Sequence, residues 1–202
     1  AMESEDPKQI AEAVKTVISN CIMTKGIKVD QLSTFDIEYL FLNIRGKSVG
    51  EDVEVLITCP DDGVTQVPVS INLDDIKVII KEEHTRDIKL DANLTLRMRY
   101  PSMQEFIKTN FALESSVSVD DTFDMICSCV EQIYSEEESW SASDVTKKEL
   151  TAFIEQFTSS QFKEIEKFFE TMPKLSHKFK VTNPNTGVEN EVVLEGLTSF
   201  FA

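Results

Sequence analysis

The chain has 202 residues, 41% of them hydrophobic, and a formal net charge of −16 at pH 7. A chain this acidic lacks the cationic surface that binding to a phosphate backbone requires, so we expect no nucleic-acid partner. It contains no run of about 18 apolar residues and no apolar leader, which predicts neither a membrane span nor a secretory signal. Its four cysteines form no disulfide framework. We therefore expect a soluble, cytosolic protein with reduced thiols.

Two helices are predicted near the start of the chain. Pro7 suits the first position of a helix, and an apolar stripe at helical spacing predicts an amphipathic helix over residues 7–24. Residues 34–45 are apolar around most of the helix surface, so this central helix should be covered on several sides by the rest of the fold. Gly46 is expected to end it in a left-handed conformation.

Three β-hairpins are predicted from alternating apolar residues on both sides of a turn. They cover residues 52–72, 86–100 and 178–195. The first and third have similar turns, because residues 57–64 align with residues 181–188 and both segments contain Pro-x-x-Gly. Proline followed by Asp or Asn and then Gly is enough to fix a turn locally. We therefore expect an internal repeat in which the two turns share one conformation.

Helices are predicted for most of the chain between the second and third hairpins. One should start at Pro101, and the next should follow Asp120 and carry its apolar stripe as far as Tyr134. The acidic and serine-rich residues 136–140 are typical of an exposed connector between helices.

Capping signals place two further helices. Thr146 with Glu149 three positions later forms a capping box, which predicts a helix start. Ser159 or Ser160 should start the last helix, which Pro173 closes.

The predicted elements together indicate an α+β fold, in which several amphipathic helices surround the central apolar helix and three β-hairpins complete the core. We expect a single domain over residues 1–202. Its second half, residues 102–175, should be mainly helical and lie between the hairpin segments 52–100 and 178–195.

The two related turns occupy the places that zinc knuckles of the form Cys-Pro-x-Cys-Gly would have. Two such knuckles hold one zinc ion with four thiolates. Here Cys59 is the one thiol, and the other three positions hold Asp62, Asn183 and Thr186. A single thiolate with weak oxygen ligands loses most of the binding energy, so we expect degenerate knuckles that bind no metal and act as self-sufficient turns.

No other residues suggest a catalytic or cofactor-binding site. His84 lies in a polar stretch and His177 precedes a predicted strand, and nothing marks either as a base. Cys21 and Cys127 fall on apolar helix faces, where small buried side chains are expected, whereas Cys129 points off the stripe and should be exposed. We expect a protein that is not an enzyme and has no cofactor.

Several short motifs follow one another in a fixed order and cover nearly the whole chain: Tyr39-Leu40-Phe41-Leu42-Asn43-Ile44-Arg45-Gly46-Lys47-Ser48-Val49-Gly50-Glu51, Cys59-Pro60, Arg97-Met98-Arg99-Tyr100-Pro101-Ser102, Asn183-Pro184-Asn185-Thr186-Gly187, Leu194-Glu195-Gly196-Leu197 and Phe200-Phe201. In this order they resemble the baseplate hub subunit family of T-even-type, contractile-tailed bacteriophages.

This resemblance implies a function in phage tail assembly. Members of the family build or help to assemble the central hub of the baseplate, so the expected partners are other hub or tail proteins. The expected location is the host cytoplasm during assembly, and the virion baseplate if the protein is retained. Many members carry intact cysteine knuckles, and relatives extend upstream of Ala1, which raises the expectation of a longer natural chain. An alternative is a non-catalytic adaptor domain built on a degenerate zinc ribbon.

The C-terminal residues are the candidate partner-binding site. Leu197, Phe200 and Phe201 close the chain, and two adjacent Phe rings cannot both point inward from one short helical turn. Packing on the third hairpin is the alternative use of these side chains.

Overall fold

The computed structural model describes residues 7–102, 105, 119–196 and 199. These ranges contain five α-helices and nine strands in three antiparallel sheets, so the expected α+β class is confirmed. None of the helices in these ranges is long and apolar enough to cross a bilayer. The helix expected to start at Pro101 falls mainly on residues 103–104 and 106–118, which lie outside the described residues.

The chain divides into two compact units. Unit 1 comprises Ala1–Ala13, Lys28–Thr34 and Ile80–Met172, and unit 2 comprises Val14–Ile27, Phe35–Ile79 and Pro173–Ala202. The first helix, α1 (Pro7–Cys21), contributes to both units and ends at Cys21 rather than at residue 24. The expectation of a single domain over residues 1–202 stays a prediction.

Unit 2 contains the first and third hairpins, and both are confirmed. Strands β1 (Asp52–Thr58) and β2 (Gln66–Asn72) form a two-stranded sheet. The short strand β3 (Lys77–Ile79) pairs with β8 (Lys174–Thr182), which in turn pairs with β9 (Glu189–Glu195). Alternate side chains of these strands are buried, which is the pattern of a sheet with one covered face. The buried core of unit 2 is Leu42, Val53, Val55, Ile57, Cys59, Ile71, Leu73, Ile76, Leu175 and Val181.

The central helix, α2 (Thr34–Val49), runs past its predicted end. Gly46 lies inside the helix with a helical backbone, and a Cβ there would meet the Leu73 side chain at 3.5 Å. Where the helix ends, it is Gly50 that takes up a positive φ, at 132°. The prediction that Gly46 ends the helix is therefore wrong, because the helical hydrogen bonds continue through Gly46, whose carbonyl accepts the Gly50 N–H at 3.2 Å, and the left-handed turn follows at Gly50. The helix is also less enclosed than expected, since Tyr39 is exposed.

Unit 1 is organised around a four-stranded antiparallel sheet. The second predicted hairpin is confirmed as β4 (Asp87–Lys89) and β5 (Thr95–Met98), and the sheet continues through β6 (Val130–Tyr134) and β7 (Ser139–Ser141) in the order β4-β5-β6-β7. The buried core of unit 1 is Ile88, Leu90, Leu96, Met98, Ile126, Cys127, Cys129, Val130, Leu150, Ile154, Ile165 and Phe168.

The prediction that one helix continues to Tyr134 is wrong, because residues 130–134 form a strand. Helix α3 (Val119–Cys129) stops at Cys129, and the chain changes directly into β6. Ile133 pairs with Leu96 of β5 on one side and with Trp140 of β7 on the other. As a strand, this segment forms backbone hydrogen bonds with two neighbouring strands, β5 and β7. Its β-branched and aromatic residues also have a high β propensity.

The segment expected to be an exposed connector contributes the edge strand of that sheet. Gln132 pairs with Ser141 and Tyr134 with Ser139, so residues 139–141 are β7 rather than a loop. The intervening turn is closed by Ser135, whose N–H donates to the Glu138 carbonyl at 2.8 Å.

Two capped helices complete the described part of unit 1. The capping box of Thr146 and Glu149 is confirmed at the start of α4 (Lys147–Ile154). A second capping box, between Thr158 and Gln161, precedes α5 (Ser159–Thr171), which begins at Ser159 as predicted. Threonine and glutamine satisfy the same two backbone donors as serine and glutamate would.

Candidate functional site at the paired turns

The turns of the first and third hairpins share one backbone hydrogen bond, from the turn glycine, and have a second that spans one residue more in the first hairpin. Cys59 donates its N–H to the Thr65 carbonyl at 2.8 Å and accepts from the Gly63 N–H at 2.9 Å. Asn183 likewise donates to the Val188 carbonyl at 2.9 Å and accepts from the Gly187 N–H at 2.8 Å. Gly63 and Gly187 have φ of 67° and 73°. The two aligned segments therefore share the part of the turn that closes at the glycine, with Cys59 and Asn183 at equivalent, fully buried positions. The loop of the first hairpin is one residue longer than that of the third.

The side chain of Asn183 joins the two turns. Its Nδ2 donates to Asp62 Oδ2 at 2.9 Å and to Asp61 Oδ1 and Oδ2 at 3.0 and 3.2 Å. Its Oδ1 accepts the N–H of Asn185 at 2.8 Å, which also shapes its own turn. One buried amide thus links two carboxylates that lie more than a hundred residues away in sequence.

Further polar groups surround Asp61. Thr186 Oγ1 donates to Asp61 Oδ2 at 2.5 Å, and Asn190 Nδ2 donates to Asp61 Oδ1 at 2.9 Å. Asn190 Oδ1 accepts a hydrogen bond from the backbone N–H of Asp61 at 3.1 Å, so each of the two residues donates one hydrogen bond to the other. Asn185 Nδ2, also of the third hairpin, donates to Thr65 Oγ1 of the first at 2.9 Å. We call this set, Asp61, Asp62, Thr65, Asn183, Asn185, Thr186 and Asn190, the inter-turn network.

The network holds both carboxylates in their charged form. The pKa of Asp61 is lowered chiefly by the hydrogen bond from Asn183, and next by that from Thr186. The pKa of Asp62 is lowered further, first by the Thr65 hydroxyl and then by the backbone N–H groups of Val64 and Thr65. Burial, reinforced by these two negative charges, raises the pKa of the Cys59 thiol. Neutral hydrogen-bond donors, rather than cationic side chains, stabilise the negative charges of the two carboxylates.

The donor set does not fit a zinc ion. Of the four knuckle positions, Cys59 alone offers sulfur, and its raised pKa disfavours the thiolate that zinc requires. The Asn183 amide is already committed as a donor to Asp61 and Asp62. Within residues 7–102 and 119–196, no group of three or more His, Cys, Asp or Glu side chains could hold a metal ion. The turns are joined by hydrogen bonds in the place where a metal would join them.

The other residues singled out from sequence are dispersed. Cys127 is buried as expected, but Cys21 is exposed and Cys129 is fully buried, so both of those expectations are wrong. Burial raises the pKa of Cys129 to about 11, which makes it a poor nucleophile. His177 lies within β8, where its ring stacks on Phe179 at 5.4 Å between centroids. Leu197, Phe200 and Phe201 lie outside the described residues.

His84 is the centre of a cluster of hydrogen bonds, with Thr171 and Tyr100, that was not predicted from the sequence. Its Nδ1 lies 2.9 Å from Thr171 Oγ1 and its Nε2 lies 2.9 Å from the Tyr100 hydroxyl. Thr171 Oγ1 donates to the Lys167 carbonyl at 2.6 Å, so its oxygen accepts a hydrogen bond from His84 Nδ1–H. In the neutral imidazole, Nε2 accepts a hydrogen bond from the Tyr100 hydroxyl. Burial, and next the charge of Arg86, lowers the pKa of His84 in agreement with this assignment.

Comparison with known proteins defines the class of protein to which this arrangement belongs. The model of the family described as T4 bacteriophage base plate protein matches residues 1–202, so its class is that of phage tail baseplate proteins. No curated protein and no solved structure matches the chain. The chain belongs to the T4 bacteriophage base plate protein family, and its place is therefore in the virion baseplate, in contact with other phage tail proteins.

Proposed function

We propose that the protein is a subunit of the central hub of a contractile-tail baseplate, or a factor that assembles this hub, and that it acts through contacts with other proteins. The observation that carries the proposal is the family match over the whole chain. A structural rather than a catalytic role accords with a candidate site made of carboxylates, amides and hydroxyls that satisfy one another. Assembly would take place in the host cytoplasm before the hub is incorporated into the baseplate.

The C-terminal residues are one proposed contact with a hub or tail partner. Leu197, Phe200 and Phe201 supply large apolar side chains at the end of an acidic chain. Aromatic side chains buried at the centre of an interface often carry most of its binding energy.

A second candidate function is that of a non-catalytic adaptor domain built on a degenerate zinc ribbon. The shared hydrogen-bond pattern of the turns around Cys59 and Asn183 favours a common origin as paired knuckles. In this proposal the inter-turn network replaced the metal, and the protein keeps the rigid pair of turns without depending on zinc.

The experiment that tests the hub assignment is co-expression of the full chain with each hub and tape-measure protein of the same phage, followed by pull-down. We expect the wild type to retain at least one of them, and Phe200→Ala with Phe201→Ala to weaken that retention. Retention of none by the wild type would reject the hub role. Undiminished retention by a folded double variant would reject only the C-terminal contact.

A further inference from the structure

The outward faces of the two related hairpins of unit 2 differ in charge. On the third hairpin, Lys178 pairs with Glu191 at 2.7 Å and Lys180 pairs with Glu189 at 2.6 Å. These cross-strand ion pairs leave the outward face of β8 and β9 close to neutral. Such a face needs no charged partner.

The acidic residues of the first hairpin are not matched by basic residues of the same hairpin. Residues 48–76 contain no Lys or Arg, and their acidic residues are Glu51, Asp52, Glu54, Asp61, Asp62, Asp74 and Asp75. Lys47 pairs with Glu51 at 2.5 Å from outside this segment, and Asn72 donates to Asp52 at 3.0 Å. Across the part of the chain that the structure describes, Glu54 has no ion-pair partner.

An exposed apolar pair lies on the outward face of this hairpin, where β1 also presents Asp52 and Glu54 and the acidic residues of the turn and flanking segments add to the negative charge. Leu56 is 65% exposed and stands directly opposite Pro68, while its neighbours Val55 and Ile57 point into the core. In the repeat, the alignment of Ile57 with Val181 places Lys180 at the position of Leu56, and Lys180 pairs in register with Glu191. The same cross-strand position therefore holds lysine and glutamate in one hairpin and leucine and proline in the other.

Charge decides which occupant suits such a face. A second copy of this chain would bring the same acidic face against itself, because a twofold interface uses the same patch on both subunits. A partner with Lys or Arg around an apolar recess would instead neutralise the carboxylates and cover Leu56. Complementary charge of this kind speeds association and fixes orientation, while the apolar centre excludes water.

We propose that the outward face of β1 and β2, centred on Leu56 and Pro68, binds a basic surface of another baseplate protein. This inference rests on the proposed hub function and names the chemistry of one of its partners. The inference concerns strands β1 and β2 alone and does not depend on the proposed C-terminal contact.

The test uses the full chain and each baseplate protein of the same phage whose sequence is basic, purified singly, with binding measured at about 50 mM and about 300 mM NaCl. Leu56→Lys introduces the residue that the repeat carries at this position. Val193→Lys is the matched control, because Val193 is 48% exposed on the outward face of β9 and the substitution adds the same charge. We expect Leu56→Lys to weaken binding about tenfold or more, Val193→Lys to leave it within about twofold, and higher salt to weaken the wild type about tenfold.

Hydrogen–deuterium exchange on the wild-type complex provides a readout that needs no variant. We expect slower exchange in Asp52–Thr58 and Gln66–Asn72 and unchanged exchange in Glu189–Glu195. Equal binding by wild type and folded Leu56→Lys, equal loss in both variants, or no protection of β1 and β2 would overturn the assignment of this face while the hub function stands. If the wild type bound none of the basic baseplate proteins, this inference would be rejected. The hub function would be rejected with it only if the pull-down with hub and tape-measure proteins also retained none.

Discussion

Asn183 donates a hydrogen bond from Nδ2 to Asp62 Oδ2 at 2.9 Å and so joins the turn of the third hairpin to the turn of the first. The two residues occupy positions where a pair of zinc knuckles would each place a thiolate. An amide and a carboxylate form a charge-assisted hydrogen bond instead, and this bond needs no ion. The contact also explains why Asn183 is fully buried although its side chain is polar.

Removal of the Asn183 amide should destabilise the protein. In Asn183→Ala, Asp61 and Asp62 lose the donor that they share, and we expect the free energy of unfolding to fall by about 3 kcal/mol. Asn185→Ala is the control, because Asn185 Nδ2 makes one exposed hydrogen bond to Thr65, and its cost should stay below about 1 kcal/mol. Urea denaturation of both variants measures the difference. Equal stability of Asn183→Ala and wild type would contradict a structural role for the network.

The wild-type protein should contain no stoichiometric zinc and keep its circular dichroism spectrum in chelator. A single buried thiol with a raised pKa cannot supply the ligand set that would make zinc part of the folding energy. Elemental analysis of the purified chain decides the matter. One zinc ion per chain, lost together with the native spectrum on chelation, would show that other ligands complete the site.

Restoring the missing thiols should create a zinc site. With Cys59 in place, the changes Asp62→Cys, Asn183→Cys and Thr186→Cys give four thiols at the knuckle positions, and the wild-type contact of residues 62 and 183 shows that the two turns meet. We expect one zinc ion per chain, and thiolate-to-metal absorption with cobalt in its place. The double variant that keeps Asn183 is the control and should bind far more weakly. If the triple variant folds and binds neither metal, the degenerate-knuckle proposal fails.

Protonation of His84 should weaken the fold. Its pKa in the folded protein is lowered from 6.5 by burial and by Arg86, so the unfolded chain binds this proton more readily. The contribution of His84 is therefore complete above about pH 6.5 and is lost as the pH falls from there toward the lowered folded value. Unfolding free energies between about pH 7.5 and about pH 5 should show this slope. His84→Gln should flatten it, and an unchanged slope in that variant would assign the effect to other groups.

Glycine 46 and glycine 50 should respond oppositely to alanine. Gly46 has a helical backbone and room for a Cβ at 3.5 Å from Leu73, so Gly46→Ala should stabilise the protein by about 0.5–1 kcal/mol through helix propensity. Gly50 has a φ of 132°, where a side chain is strained, so Gly50→Ala should destabilise it by about 1–3 kcal/mol. Thermal unfolding of the two variants checks both signs. A loss of stability in Gly46→Ala would mean that the contact with Leu73 does not relax.

Local chemistry in the sequence was sufficient to predict three of the hairpins and one cap, but not the hairpin of β6 and β7. Asp91 shows why, since its carboxylate accepts the backbone N–H groups of Asn93 and Leu94 at 2.7 and 2.8 Å and so closes the second hairpin from within the turn itself. Thr146 and Glu149 do the same for α4. These bonds join residues two or three positions apart, so the pattern alone determines them.

The tertiary structure alone determined that Val130–Tyr134 is a strand and that Asn183 forms a hydrogen bond with Asp62. The apolar spacing of 130–134 suits a helix and a strand equally, and the choice depends on β5 and β7, which provide backbone partners on both sides. Sequence alignment of the two turns identified them as related, but it contained no sign that their polar residues bond to one another. Those hydrogen bonds join residues 120 to 129 positions apart, and they form only because the folded core of unit 2 brings the two turns together.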